Sequence, residues 1–290
     1  MKKVLFSTTA LAAFGALMFS AGDVMAASKA KPMKIGVGGY FKTIVGFGTN
    51  SGSFESTGGA TDRASYEAFN IIGDSEIYFT GSTKLDNGVA VNLTIQLETD
   101  QVDSAIIDES YLKFTGGFGD IRIGSVAPAG VTLGHNAPQA GPYILRGGST
   151  NNHVVAPAAF TGLTPTPQGV GGDANKLVYI SPKFADAIYI GASYTPSNTD
   201  SNAAPATSGT PGTETQLYEG MISYESKVGT TDLKFDIGYS ETHGQANDSF
   251  SNWRTGINLG FGGLTLGGAY KDQDNIDDGK TGTEANDEQT

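Results

Sequence analysis

The stretch Val89–Asp100, VAVNLTIQLETD, alternates apolar and polar residues with almost no exception. Its larger apolar side chains all share one parity: Val89, Val91, Leu93, Ile95 and Leu97. A period of two indicates an extended strand with one apolar face and one polar face. The fold therefore depends on what the apolar face contacts.

Further segments repeat this alternation, and together with the first they predict about eleven strands. They are KIGVGGYFKTIVGFG (34–48), SEIYFTGSTKL (75–85), DESYLKFTGG (108–117), DIRIG (120–124), NKLVYISP (175–182), AIYIGASY (187–194), TQLYEGMISYESK (215–227), TDLKFDIGYSE (231–241), NWRTGINLGFG (252–262) and LTLGGAYKD (264–272). Many approach the roughly nine to eleven residues that a tilted strand needs to cross a bilayer. No helical apolar stripe accompanies them, so the sequence predicts an all-β fold.

Two kinds of connection separate these segments. The short ones carry Gly, Asn, Asp or Pro, as tight hairpin turns require, and lie at 85–88, 116–120, 182–187, 228–232 and 261–263. The long ones are polar and lie at 48–73, 99–107, 125–174, 196–214 and 242–250. Because short and long connections alternate, all the long loops are expected at one end of the sheet, as in up-and-down membrane barrels.

The first 26 residues have the pattern of a secretory signal peptide. Lys2 and Lys3 precede an apolar run, Val4–Phe19, and a cleavage-type triplet ends at Ala26. The alternative, a single membrane anchor, fits less well because the run is short. We therefore expect cleavage after Ala26, export, and one domain over residues 27–290.

The composition excludes several classes of protein. The chain has no cysteine, so it offers neither a disulfide framework nor a thiolate metal site. Its net charge is −12 at pH 7, and the signal peptide contributes two lysines and one aspartate to that balance. An acidic exported chain does not suit nucleic-acid binding.

Two structures compete for the apolar faces of the strands. In a secreted β-sandwich binding module these faces would pack on a second sheet. In a transmembrane antiparallel β-barrel they would contact lipid, while the polar faces would line a wet lumen. The signal peptide, the alternating loops and the strand lengths together favour the outer-membrane barrel.

Two segments that flank the longest loop resemble one family. DESYLKFTGGFGDIRIGS (108–125) and NKLVYISPKFADAIYIGASY (175–194) are similar to the strand–turn–strand units around the constriction loop of general porins of Gram-negative bacteria, of the alphaproteobacterial type. KIGVGGYFKTIVGFG and the turn KLDNGV are similar to the same family. The resemblance, which runs from about Lys34 to Lys271, implies a sixteen-stranded barrel, a homotrimer, and a third long loop folded into the pore.

The end of the chain departs from that family. Such porins finish on a strand with a terminal aromatic residue, whereas this sequence finishes on the polar stretch GKTGTEANDEQT. We therefore interpret residues 27–290 as the N-terminal part of a longer barrel domain. A barrel with fewer strands is the alternative.

Polar parity and the long loop predict the pore-lining residues. The candidates are Lys42, Lys84, Glu98, Lys113, Arg122, Arg146, Asp173 and Lys176, and Arg254 shares the polar parity. Lys113 and Arg122 flank one turn and are the best candidates for a basic wall of the pore that faces the constriction loop. The resemblance implies carboxylates on the facing loop, but residues 125–175 contain a single acid, Asp173. A loop with so few acids predicts a wide, weakly selective filter.

Catalytic and metal chemistry find little support. His135, His153 and His243 lie in predicted loops, without carboxylate or cysteine partners at ligand spacing. DQDNIDDG (272–279) fails as an EF-hand, because Ile276 and Ala285 fall on ligand positions. No cofactor is predicted, although weak Ca²⁺ binding by the outer loops stays open.

The sequence as a whole therefore predicts an outer-membrane porin, a passive diffusion channel rather than an enzyme. Loop 125–174 would narrow the pore, and the partners would be outer-membrane lipid, lipopolysaccharide and small hydrophilic solutes. An outer-membrane β-barrel enzyme and a secreted binding module are the alternatives.

Overall fold

The computed structural model describes residues 32–48, 68–99, 107–138, 171–198, 214–244 and 250–275. These residues form one antiparallel sheet of eleven strands, each paired with its neighbours in sequence. The prediction of about eleven strands is therefore confirmed. The predicted signal peptide, residue Arg146 and the middle of the longest loop lie outside the described residues.

Long connections and tight turns alternate between successive strands. Their bounds are β1 (Lys34–Phe47), β2 (Phe69–Lys84), β3 (Ala90–Glu98), β4 (Ile107–Gly116), β5 (Gly119–Ser125), β6 (Asn175–Ile180), β7 (Ile188–Ser197), β8 (Glu214–Val228), β9 (Thr231–Gly244), β10 (Phe250–Phe261) and β11 (Leu264–Asn275). One short helix, α1 (Ala129–Leu133), follows β5. Within the described part of the chain, no helix has the length and apolar character needed to span a membrane.

Strand β2 begins earlier than the sequence predicts. The sequence predicts a loop for residues 69–73, but they pair with the end of β1, where Phe69 lies opposite Phe47 and Gly73 opposite Thr43. The rings of Phe47 and Phe69 have centroids 5.0 Å apart. This cross-strand aromatic contact stabilises the extension of the hairpin.

The two faces of the sheet differ as the alternation predicts. On the outer face, large apolar side chains are exposed in the described chain: Ile35 and Phe41 are each 81% exposed, and Val37 is 69% exposed. The opposite, inner face carries most of the charged side chains. Because an exposed apolar face of this kind is unfavourable in water, the outer face is better suited to contact with lipid than with water.

A small apolar core lies on the inner face. Residues 126–138, here named the inner segment, leave the end of β5 and place α1 against β6, β7 and β8. The buried cluster joins three residues of the segment to three of the strands: Val126, Ala129, Leu133, Val178, Ile180 and Met221. The core therefore fixes the first part of the longest loop to the inner face.

Candidate functional site

Glycines in the strands let the inner segment approach the sheet closely. Gly191 and Gly256 lie on the inner faces of β7 and β10. A Cβ added at Gly191 would lie 2.6 Å from Leu133 Cδ1, and one at Gly256 would overlap the carbonyl oxygen of His135. These positions need a residue without a side chain because the segment occupies the space above them.

Side chains of the sheet also accept hydrogen bonds from the backbone of the inner segment. Ala129 N donates to Ser193 Oγ at 2.7 Å, and Gly130 N donates to Glu219 Oε1. Both acceptors are buried on the inner face. They satisfy backbone N–H groups that the short helix α1 leaves without an internal partner.

A buried ion pair holds the far end of the segment. Arg254 Nη2 lies 3.3 Å from Asp236 Oδ1, with Asp236 fully buried and Arg254 6% exposed. His135 N donates to Asp236 Oδ2 at 2.6 Å, and Arg254 Nη2 donates to the carbonyl oxygen of His135 at 3.1 Å. The Asp236 carboxylate thus accepts from the backbone N–H of His135, and the Arg254 guanidinium donates to the carbonyl oxygen of the same residue. Both are charge-assisted hydrogen bonds. We name Ser193, Glu219, Ser223, Asp236, Arg254 and Gly256 the docking surface.

The ring of His135 is buried against the docking surface. Its Nε2 lies 3.0 Å from Ser223 Oγ and 3.7 Å from Glu225 Oε1. Burial lowers the pKa of His135 below its ordinary value, although Asp236 and Glu225 act to raise it. The docked ring therefore favours the neutral form.

The contact between Ser223 and His135 does not form a nucleophile relay. Ser223 is fully buried, so its hydroxyl is closed to a substrate. Ser223 and Glu225 also face the same nitrogen, Nε2, whereas a catalytic triad places its nucleophile and its acid on different ring nitrogens. This pair therefore contributes to docking.

Lys113 and Arg122 lie side by side on the inner face of the sheet. They are direct cross-strand partners in β4 and β5. Arg122 Nη1 donates to Thr132 Oγ1 of α1 at 3.1 Å, so this cation also contacts the inner segment. Their two positive charges form a local basic patch on the inner face of β4 and β5.

The structure places the predicted pore-lining residue Glu98 beside two acids that the sequence did not single out, Glu76 and Asp108. Carboxylate oxygens of Glu76, Glu98 and Asp108 lie within 4.8 Å of one another. A bulge between β3 and β4 turns Asp108 and Glu109 opposite one residue, Gln96, whose amide nitrogen donates to Glu109 at 2.7 Å. Their convergence depends on the register of three strands and on that bulge, which alternation alone does not show.

The other predicted pore-lining residues occupy different positions. Lys42 lies on β1 with its Nζ 5.9 Å from the Tyr40 ring centroid, and Lys84 ends β2 beside the first turn. Asp173 lies where the longest loop returns to the sheet, and its carbonyl oxygen accepts from Ser125 Oγ. Lys176 shares the inner face, but it is only 3% exposed and its amino group contacts backbone carbonyls.

Comparison with known proteins places the chain among channel-forming barrels. The model of the Gram-negative porin family matches residues 7–289. No curated protein matches the sequence. One solved porin structure is 14% identical, with a TM-score of 0.46, and the match covers 83% of this chain and 68% of that one.

Two further solved structures give similar values. The anion-selective porin from Comamonas acidovorans is 13% identical with a TM-score of 0.42, over 84% of this chain and 80% of that one. A mutant of the Rh. blastica porin is 12% identical with a TM-score of 0.42, over 85% and 86%. On the family match, which spans nearly the whole sequence, this protein belongs to the Gram-negative porin family.

Proposed function

We propose that this outer-membrane porin is a passive diffusion channel for ions and small hydrophilic solutes, in which the inner segment narrows the lumen. The observation that carries the proposal is the docking of residues 126–138 on the inner face through buried side chains. A segment held in this way reduces the open cross-section beside Lys113 and Arg122. The mechanism is sieving by size, biased by the charges of the wall.

Export and assembly complete the proposal. Cleavage after Ala26 would release the chain for insertion into the outer membrane, and three copies would assemble into a trimer. The exposed apolar outer face supports contact with lipid.

Single-channel recording in a planar bilayer tests this function. The protein is extracted from its own outer membrane and is recorded under a salt gradient. Stepwise openings in groups of three are expected. Correctly folded protein that gives no openings would contradict the channel and would favour an outer-membrane enzyme. A protein that dissolves without detergent would favour the secreted binding module.

Lys113 and Arg122 are expected to set the charge preference of the pore. Replacing either with glutamine removes one positive charge from the wall, so the permeability ratio of cation to anion should rise. A unit charge about 10 Å from the ion path in water corresponds to a change of roughly twofold to fourfold in that ratio. The reversal potential under a salt gradient measures it.

The control for this prediction is Lys227→Met. Lys227 and Asp232 form an exposed pair at 3.4 Å beside a tight turn, away from the inner segment. An unchanged reversal potential in both K113Q and R122Q would show that the selectivity lies elsewhere.

The docking of the inner segment is expected to weaken in acid. Because the pKa of His135 is lowered when the ring is docked, protonation favours a state in which the ring is in water. Docking is therefore strongest above the ordinary histidine pKa of about 6.5 and declines as the pH falls below it. Current noise in wild-type channels should rise between about pH 7 and pH 5.

The variant His135→Gln separates this effect from other titrations. Its amide can still contact Ser223 but does not titrate, so the rise in noise should be absent. If H135Q and the wild type respond to pH in the same way, His135 is not the group responsible.

A further inference from the structure

Lys176 lies on the polar face of β6, where parity predicts a pore-lining charge, yet it is buried. Its Nζ donates to the carbonyl oxygen of Val126 at 2.7 Å, at the beginning of the longest loop. It also donates to the carbonyl oxygens of Gly172 at 2.6 Å and Ala174 at 2.5 Å, where the loop returns. One ammonium group therefore joins the outgoing and returning ends of the loop.

The backbone around Lys176 is shaped to present these carbonyls. Gly171 and Gly172 both have positive φ angles, 82° and 44°, which favour glycine. Ala174 N donates to the carbonyl oxygen of Gly171 at 3.0 Å and closes a turn. A Cβ added at Gly171 would lie 3.1 Å from side-chain atoms of Leu217 and Thr195, so the turn also packs on the wall.

Neighbouring contacts bind the same two ends. Ser125 Oγ donates to the carbonyl oxygen of Asp173 at 2.6 Å, which links the end of β5 to the returning chain. On the opposite side, Ala127 N donates to Glu109 Oε1 at 2.8 Å. Lys176, Ser125 and Glu109 thus form a polar cluster at the start of the inner segment.

From this geometry we infer that Lys176 is a positioning residue, which fixes the start of the inner segment and so the width of the channel. An ammonium group has three N–H donors, and the carbonyls of both loop ends take the place of its water shell. Its burial removes it from the path of permeating ions, unlike Lys113 and Arg122. The inference rests on the proposed function, since it concerns the segment that narrows the pore.

The variant Lys176→Met tests this role, because methionine keeps much of the side-chain length and removes the charge and the donors. We expect the current noise to increase and conductance substates to become several-fold more frequent. The reversal potential should shift by less than it does in R122Q. Lys227→Met, beside the tight turn after β8, is the matched control and should keep the wild-type noise.

A chemical rescue distinguishes the ammonium group from general loss of structure. The chain contains no cysteine, so K176C introduces the only thiol. Full-length K176C is alkylated in denaturant and then refolded in detergent. With 2-bromoethylamine the thiolate sulfur forms a bond to carbon and bromide leaves, which yields a lysine-like amine. Iodoacetamide gives a neutral adduct of similar size.

The amine adduct is expected to restore quiet channels and refolding yield, whereas the neutral adduct is not. If K176M is as quiet as the wild type, or if both adducts behave alike, the inference is overturned. The same holds if K176M shifts the reversal potential as far as R122Q does. Wild-type protein that forms no channels would instead contradict the proposed function, so the two failures are distinguishable.

Discussion

Replacing Gly256 with alanine should lower the conductance of each channel. The added methyl group would overlap the carbonyl oxygen of His135 and approach a carboxylate oxygen of Asp236. Reaching ordinary van der Waals contact requires a displacement of about 1.5 Å. Because the strand backbone is held by pairing on both sides, the inner segment moves, and it moves into the lumen. Overpacking of this kind costs about 1–3 kcal/mol of stability.

Gly38→Ala is the matched control for this prediction. Gly38 lies on the inner face of β1, and a Cβ added there meets no atom within 4 Å. Its conductance and its urea unfolding midpoint in detergent should equal those of the wild type. A G256A channel with wild-type conductance would mean that the segment does not narrow the pore.

Arg254→Met should have the opposite effect and release the inner segment. The substitution leaves the carboxylate of Asp236 buried without its cation and removes the donor to the carbonyl oxygen of His135. Removing one partner of a buried ion pair costs about 3–5 kcal/mol, and part of that can be recovered if the segment undocks. We expect a lower urea midpoint, a higher mean conductance and frequent substates.

The double variant R254M/D236N makes this prediction specific. Because it has no buried unpaired charge, the double variant should be more stable than R254M alone. The amide oxygen that D236N introduces can still accept from His135 N. Lys227→Met serves again as the control, because the exposed pair with Asp232 contributes only about 0–1 kcal/mol. A double variant no better than R254M would show that the ion pair does not hold the segment.

Most of the sheet could be predicted from the sequence because its pairing is local. Period-two alternation located all the described strands, and glycine-rich turns such as 85–88 located the hairpins. The same pattern separated the exposed outer face from the inner face. The start of β2 was missed because residues 69–73 lie next to a polar stretch and their strand character depends on pairing with β1.

The docking surface could not be predicted because its contacts join distant residues. His135 and Asp236 are 101 positions apart, and Gly130 and Arg254 are 124 positions apart. Parity placed Arg254 and Lys176 on the polar face, but it cannot show whether a polar side chain there meets water or another part of the chain. Gly256 likewise is one of 41 glycines, and only the segment above it gives it a role.

The meander order of the strands has a consequence for assembly. Every strand pairs with its neighbours in sequence, so the sheet can form hairpin by hairpin from local contacts. Asp236, Arg254 and Gly256, however, belong to β9 and β10, which follow the inner segment by about a hundred residues. The end of the segment at His135 therefore docks only after β10 has joined the sheet, and this part of the constriction is the last of the region to form.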